Sequence, residues 1–283
     1  MAKRDRSMTS QKYKRWIKEG RGGGEGENYK PWLTIRDVPS RGRSHRIQGI
    51  KIKRGHHLLS DYERDYFYIA EFTDYVIDIR EQYPLPLTQT TQIADELGIK
   101  HPHDVKTDFL NVITTDFLLT VSDGKSQTYL ARTIKQIDEL NDERKIEKFE
   151  IERRYWKSKK IDWGIVTEDQ INETLAFNIS TLRPYYDLSE LEIFSGMPVE
   201  KINRLRDIFL NEVLNQYVSI RSLSDDFDDK LCLVPSTGIS IFNHLLIQKK
   251  IIIPILNSDI DYDNPVYIKS YEEGDLKEYE HIN

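Results

Sequence analysis

The chain of 283 residues has one cysteine, Cys232. A lone thiol forms no internal disulfide and no cysteine-rich zinc site, which fits a reducing compartment, and its expected state is buried and inert. Long apolar runs are also lacking. The stretch 251–256 is interrupted by Pro254 and falls far short of the roughly 20 residues a membrane-spanning helix needs. No apolar segment follows the charged start MAKRDRSMTS, as a secretory leader would require, so no membrane partner is expected. A complete phosphate loop is missing. Gly124-Lys125-Ser126 supplies its end, but Leu119 stands where its first glycine belongs, so no nucleotide cofactor is expected. His56-His57 and His101-Pro102-His103 have no cysteine to complete a zinc set, and adjacent strand residues point to opposite faces. The run Asp225, Asp226, Asp228, Asp229 lacks the central glycine and terminal glutamate of a calcium loop and reads as a solvated acidic turn. No internal repeat is evident.

Apolar residues make up 38% of the chain, enough to fill real cores, and the length suits about two domains. The net charge of −6 hides an asymmetry. Residues 1–60 hold 16 Lys/Arg against 5 Asp/Glu, while the remainder holds 25 against 42. A basic segment on an acidic body attracts phosphates and releases their counterions, which is the footprint of nucleic-acid binding. A solvated tail has the same composition.

Residues 1–30 are basic and glycine-rich and read as a flexible arm with one short helix over 13–18. Periodicity then predicts a helix over 58–72 with its start signal at Ser60, a strand over 75–83, and a short helix over 91–97 stopped by Gly98. Strands over 114–122 and 127–134 flank Asp123-Gly124, a hairpin-turn signal. A charged helix over 140–159 and a short strand over 162–167 close a mixed α/β domain spanning 31–168. Residues 169–283 read as mainly helical, with helices over 174–182, 188–195, 199–216 and 239–248 leading into a strand over 251–255. A helix followed by a short β-element suggests a winged-helix-like module.

Phosphodiester hydrolysis needs oxygen ligands for a hard cation and a charge to stabilise the developing oxyanion. Glu63, Asp116 and Lys135 are the candidates. Asp116 interrupts an otherwise apolar strand, and Lys135 ends the next strand of the same hairpin. A carboxylate on one strand and a lysine on its neighbour is the arrangement of restriction-type nucleases. Each residue also has a plainer reading. Asp116 fits a strand edge, Lys135 a solvated strand end, and Glu63 a capping box with Ser60. The cations Arg41, Arg43, Arg46, Lys51, Lys53 and Arg54 are candidates to hold DNA phosphates, or else make a merely soluble loop.

Blocks across 16–168 decide between these readings by resemblance. They include Ile17-Lys18-Glu19-Gly20-Arg21-Gly22, Pro31-Trp32-Leu33-Thr34, Arg41-Gly42-Arg43-Ser44-His45-Arg46, His56-His57-Leu58-Leu59-Ser60-Asp61, Asp78-Ile79-Arg80-Glu81-Gln82, Gly98-Ile99-Lys100-His101-Pro102, Thr115-Asp116-Phe117-Leu118 and Glu150-Ile151-Glu152-Arg153-Arg154-Tyr155-Trp156. In this order they resemble TnsA, the endonuclease subunit of heteromeric bacterial transposases; the C-terminal part resembles it only loosely. The resemblance implies a restriction-endonuclease-like mixed sheet flanked by helices. Glu63 and Asp116 match metal ligands and Lys135 matches the catalytic lysine. Thr133 stands where the family has an amide side chain, so its main-chain carbonyl becomes the expected ligand. Glu152 matches a helix glutamate near the site, and equally pairs with Lys148 one turn away.

The implied activity is Mg²⁺-dependent hydrolysis at the 5′ ends of a transposon, with Mn²⁺ as a substitute. The implied partners are double-stranded DNA at the transposon ends, a separate transposase cutting the 3′ ends, and a transposition ATPase docked by the C-terminal domain. The implied setting is the bacterial cytoplasm, at the nucleoid. A stand-alone defence or repair nuclease and a non-catalytic adaptor between DNA and an ATPase stay open as alternatives, although adaptors of this kind usually lose the carboxylates or the lysine.

Overall fold

Backbone contacts divide the chain after Ile171 into two units, and the computed structural model describes residues 6–38 and 43–272. In the first unit, helix α1 (Ser10–Lys18) is capped by Thr9, whose side chain accepts the Lys12 N–H. The short helix expected over 13–18 is present and starts three residues earlier, and the segment around it is packed rather than a free arm. Its Trp16 is 1% exposed and meets Trp32 edge-on at 5.2 Å. Gly22 lies so close to Pro84 that a Cβ there would fall 2.1 Å from the proline Cγ, so only glycine lets the segment pack there. A hairpin that periodicity did not predict follows, β1 (His45–Gln48) with β2 (Gly55–Leu58).

Helix α2 (Asp61–Phe72) begins at the expected cap: Ser60 Oγ accepts the Glu63 N–H at 3.1 Å. The reciprocal bond reaches one residue further back than a capping box requires, because Glu63 Oε2 accepts the Leu59 N–H at 2.9 Å. Strands β3 (Val76–Pro84), β4 (Thr114–Ser122), β5 (Gln127–Lys135) and β6 (Asp162–Thr167) form the central sheet in that order. The first two pairings are antiparallel and β5–β6 is parallel, giving a mixed sheet. The β4–β5 turn is the predicted one: Gly124 has φ +83° and the Asp123 carboxylate accepts the N–H groups of Lys125 and Ser126.

Helix α3 (Leu87–Leu97) starts a turn earlier than predicted, at Pro86, and ends on Gly98 in the left-handed region. Helix α4 (Glu143–Ser158) is the crossover between β5 and β6, and Asp142 caps it. Leu118 and Ala131 of the sheet pack against Ala94 of α3 and Ile151, Tyr155 and Trp156 of α4. Phe117 meets Tyr66 of α2 at 5.1 Å, so helices flank the sheet on both sides.

The second unit is largely helical: α5 (Glu173–Leu182), α6 (Val199–Val213), α7 (Ile220–Lys230) and α8 (Thr237–Ile247). Two small sheets accompany them, β7 (Tyr217–Ser219) with β9 (Pro265–Tyr267), and β8 (Ile251–Ile252) with β10 (Lys269–Ser270). Ile202, Leu205, Phe209 and Val213 form the buried face of α6. Three expectations are corrected here. The helix expected over 188–195 is two 3₁₀ turns, Leu188–Glu190 and Glu192–Phe194, because an extended Leu191 separates them. The acidic turn is helical, and its Asp228 is 4% exposed, accepting the N–H groups of Thr237 and Gly238 to cap α8. Cys232 is exposed, held at φ +50° just past α7 rather than buried. Among the described residues no helix is long and apolar enough to cross a membrane.

Candidate active site

The cap at Ser60 turns the Glu63 side chain back over the first turn of α2, towards the end of the central sheet. The β4–β5 hairpin sets Asp116 and Lys135 at that same end. Lys135 Nζ donates to Asp116 Oδ2 at 2.6 Å, and the Ile134 N–H donates to the same oxygen at 2.8 Å. Lys135 Nζ also donates to the Ile134 carbonyl at 2.6 Å. Glu63 and Asp116 are 6% and 7% exposed.

A residue that the sequence reading did not single out joins them. Gln82 Nε2 donates to Glu63 Oε2 at 3.2 Å and towards Asp116 Oδ1 at 3.5 Å, while Gln82 Oε1 accepts the Thr114 hydroxyl at 3.4 Å. Glu81 pairs with Phe117 and Tyr83 with Thr115 across β3–β4, so Gln82 stands opposite Asp116. Its φ of +50° marks a local break in the strand. The available signal was the polar run Arg80-Glu81-Gln82, buried late in a strand whose sequence alone does not ask for three polar residues together.

Burial, and then the charge of Asp116, push Glu63 up to about 8, against the bonds it accepts from Leu59 and Gln82. Burial pulls the Lys135 ammonium down, but Asp116 and Glu63 outweigh it and hold it above its ordinary range, hence protonated. Glu152 lies beside them, fully buried. Its Oε1 accepts the hydroxyls of Thr115 and Thr133, each at 2.6 Å, and its Oε2 has no hydrogen-bond partner. Burial raises Glu152. Lys148, one turn earlier on α4, is lowered by burial and then by the charge of Lys135.

Thr133 carries the expected main-chain ligand, but the geometry favours its neighbour. Main-chain groups alternate sides along a strand. The Ile134 N–H points at Asp116 and its carbonyl at Lys135, so the Thr133 carbonyl faces β6 instead, where Thr133 pairs with Ile165. The donor set fits a hard divalent cation: two buried carboxylates share one amide and one lysine, leaving an excess of negative charge on oxygen donors. Among the described residues no group of three His, Cys, Asp or Glu side chains is placed to hold a metal ion.

The basic segment splits. Arg54 is 9% exposed and donates to both Glu81 oxygens at 2.8 and 2.5 Å and to the Ile79 carbonyl at 2.7 Å. Burial alone would raise Glu81; bonds from Arg54 and His56 reverse that and hold it down at about 2. Lys51 Nζ donates to the carbonyls of Thr73 and Val76 at 2.5 and 2.6 Å. Both cations are therefore turned inward, and the expectation that they hold phosphates is corrected: a buried carboxylate and three chain carbonyls take their donors. Arg43, Arg46 and Lys53 are exposed, and Arg41 lies outside the described residues. His56 is buried against Glu81, its Nδ1 3.0 Å from the carboxylate.

Comparison with known proteins places this geometry in context. Residues 73–168 match the family model described as "TnsA-like endonuclease N terminal", and residues 170–255 match "TnsA endonuclease C terminal". Asp116, Lys135 and Glu152 lie inside the first match and Glu63 precedes it. The chain is 48% identical over 182 residues to the Transposon Tn7 transposition protein TnsA of Escherichia coli. That alignment covers 64% of this chain and 66% of the relative, just under two thirds of its length.

Proposed function

The chain belongs to the TnsA endonuclease family, and from that premise we propose that it is a metal-dependent DNA endonuclease hydrolysing the 5′ ends of a transposon during cut-and-paste movement. The observation that carries this reading is the convergence of Glu63, Asp116 and Lys135 at one end of the sheet, bridged by Gln82. Glu63, Asp116 and the Ile134 carbonyl, rather than that of Thr133, hold the cation, Mg²⁺ in the cell with Mn²⁺ as a substitute. A cation bound there supplies Lewis acidity to a phosphoryl oxygen. Lys135 presents a fixed positive charge where negative charge develops on the phosphate. Gln82 spaces the two carboxylates. Glu152 acts as an accessory, tying Thr115 of β4 to Thr133 of β5 so that the strand ends bearing the site stay in register.

The α2–β3–β4–β5–α4–β6 order supports a restriction-endonuclease-like reading of the first unit. In the second, α7 and α8 followed by short strands support a winged-helix-like reading. Nine residues of α8 are buried, which leaves that helix little surface for a DNA groove and suits a protein partner instead. We assign this unit to docking the transposition ATPase, while a separate transposase cuts the 3′ ends. The setting is the bacterial cytoplasm, at the nucleoid. The test is strand-resolved cleavage of an end-labelled duplex carrying a transposon tip, with the ATPase and transposase present. Mg²⁺ should produce a 5′ cut that chelation removes; a 5′ cut that persists after chelation and dialysis overturns the metal-dependent reading.

A further inference from the structure

With Lys51 and Arg54 turned inward, the positive charge of residues 1–60 is presented elsewhere. Two adjoining clefts, of about 280 and 400 Å³, share Arg21, Arg36 and Asp37 as lining. Their lining gathers the cations Arg6, Lys12, Arg15, Arg21, Arg36 and Arg46 with one carboxylate, Asp37, while Glu19 beside it pairs with Arg15 at 3.5 Å and Arg21 at 3.1 Å, leaving the cations in excess. This concentration stands on a chain whose net charge is −6.

The cleft wall is built rather than incidental. Trp16 is 1% exposed, and its ring carries the Arg21 guanidinium at 4.0 Å and the Lys12 ammonium at 4.8 Å. Arg21 is fixed further by donating to Asp37 at 2.7 Å and to the Trp32 carbonyl at 3.0 Å. Arg36 and Arg46 are exposed, and no carboxylate among the described residues pairs with either side chain. Burial pulls the Lys12 ammonium below its ordinary range, against the pull of the Asp37 charge.

One hydrogen-bonded route and one short stretch of chain tie this cleft to the carboxylate site. Arg21 donates to the Trp32 carbonyl, the Trp32 N–H donates to the Gln82 carbonyl at 3.2 Å, and the Gln82 side chain bridges Glu63 and Asp116. At the other end, His57 lines the cleft two residues before Leu59, whose N–H donates to Glu63. These links place the cleft and the carboxylate site on neighbouring segments of the first unit.

We propose that this cleft grips the backbone phosphates of double-stranded DNA flanking the scissile bond, with Arg36 and Arg46 as free phosphate contacts and Arg21 as the fixed one. Six cations spread over two cavities exceed what one isolated phosphate takes up and suit the repeating charge of a duplex. The proposal rests on the endonuclease reading and adds to it the place where the substrate is held.

The experiment measures binding of a fluorescein-labelled duplex to the full chain across a salt series. It compares wild type, Arg36→Ala/Arg46→Ala, and Lys14→Ala/Lys18→Ala, which removes the same charge from α1 outside the cleft. Asp116→Ala serves as the cleavage-dead binder. Each phosphate contact contributes about 1 to the slope of log affinity against log salt. The Arg36/Arg46 variant should lose about 2 from that slope and bind more weakly, while the Lys14/Lys18 variant keeps the wild-type slope. Equal losses in both variants, or no loss in the Arg36/Arg46 variant, overturn the cleft assignment while leaving the endonuclease reading intact. Wild-type and Asp116→Ala chains that show no salt-dependent duplex binding at all sink both together.

Discussion

Replacing Arg54 with methionine separates a buried structural cation from a surface phosphate contact. Arg54 is the main countercharge of Glu81, whose side chain is wholly buried. Arg54→Met keeps most of the side-chain volume but leaves Glu81 with only His56 and the His57 N–H. Removing one partner of a buried pair costs about 3–5 kcal/mol. The titration agrees: Glu81 is held at about 2 against an ordinary 4.5, which corresponds to about 3 kcal/mol. The sign follows from the depressed value. Glu81 stabilises the wild type fully above its ordinary range, and that contribution is lost as pH falls through about 2. In Arg54→Met the carboxylate is instead pushed up by burial, so the variant's deficit is largest near neutral pH and narrows on acidification. All four tryptophans (Trp16, Trp32, Trp156 and Trp163) lie in the first unit, so tryptophan fluorescence during urea unfolding reads that unit alone. Adding Glu81→Gln to Arg54→Met should recover part of the loss, because no buried charge remains uncompensated. A deficit under about 1 kcal/mol at pH 7, accompanied by weaker DNA binding, would refute the buried-pair account and return Arg54 to the surface role its neighbours suggested.

Lys135→Ala should bind DNA near wild-type strength yet cut on the order of a hundredfold more slowly or worse; a rate within a few-fold of wild type removes Lys135 from the chemistry. Glu63 must lose its proton to hold a cation, and it titrates at about 8, so Mn²⁺ affinity by calorimetry should rise about tenfold per pH unit up to about 8 and then level. An affinity flat from pH 6 to 9 contradicts that assignment. Glu152→Leu strips an acceptor from two buried hydroxyls and should cost about 1–3 kcal/mol for each, read by the same urea assay; a neutral result means Thr115 and Thr133 find other partners.

Local chemistry made part of the fold legible. The Ser60 cap, the Asp123-Gly124 turn and the apolar runs of β4 and β5 are written within a few residues of where they act, and the hairpin brings Asp116 and Lys135 together, whereas Glu63 joined them only through the family resemblance. What stayed hidden depends on distant partners. Gln82 reaches the site only because β3 pairs with β4 in one register and its own backbone turns to positive φ. Arg54 and Lys51 look like their exposed neighbours in sequence, and their acceptors lie more than 20 residues away on or next to β3. Trp16 and Trp32 anchor an N-terminal segment whose composition is otherwise that of a solvated tail. The aspartates of α7 look soluble because three of them are, while the fourth, Asp228, caps the next helix.

The most direct test of the account compares wild type with Asp116→Ala in strand-resolved cleavage of a labelled transposon end, with transposase, ATPase and Mg²⁺ present and tryptophan fluorescence confirming the fold. Loss of the 5′ cut alone, with the 3′ cut intact, is the predicted result. Persistence of the 5′ cut in the folded variant would show that the chemistry does not run through Asp116, and the assignment of Glu63 and Lys135 would fall with it.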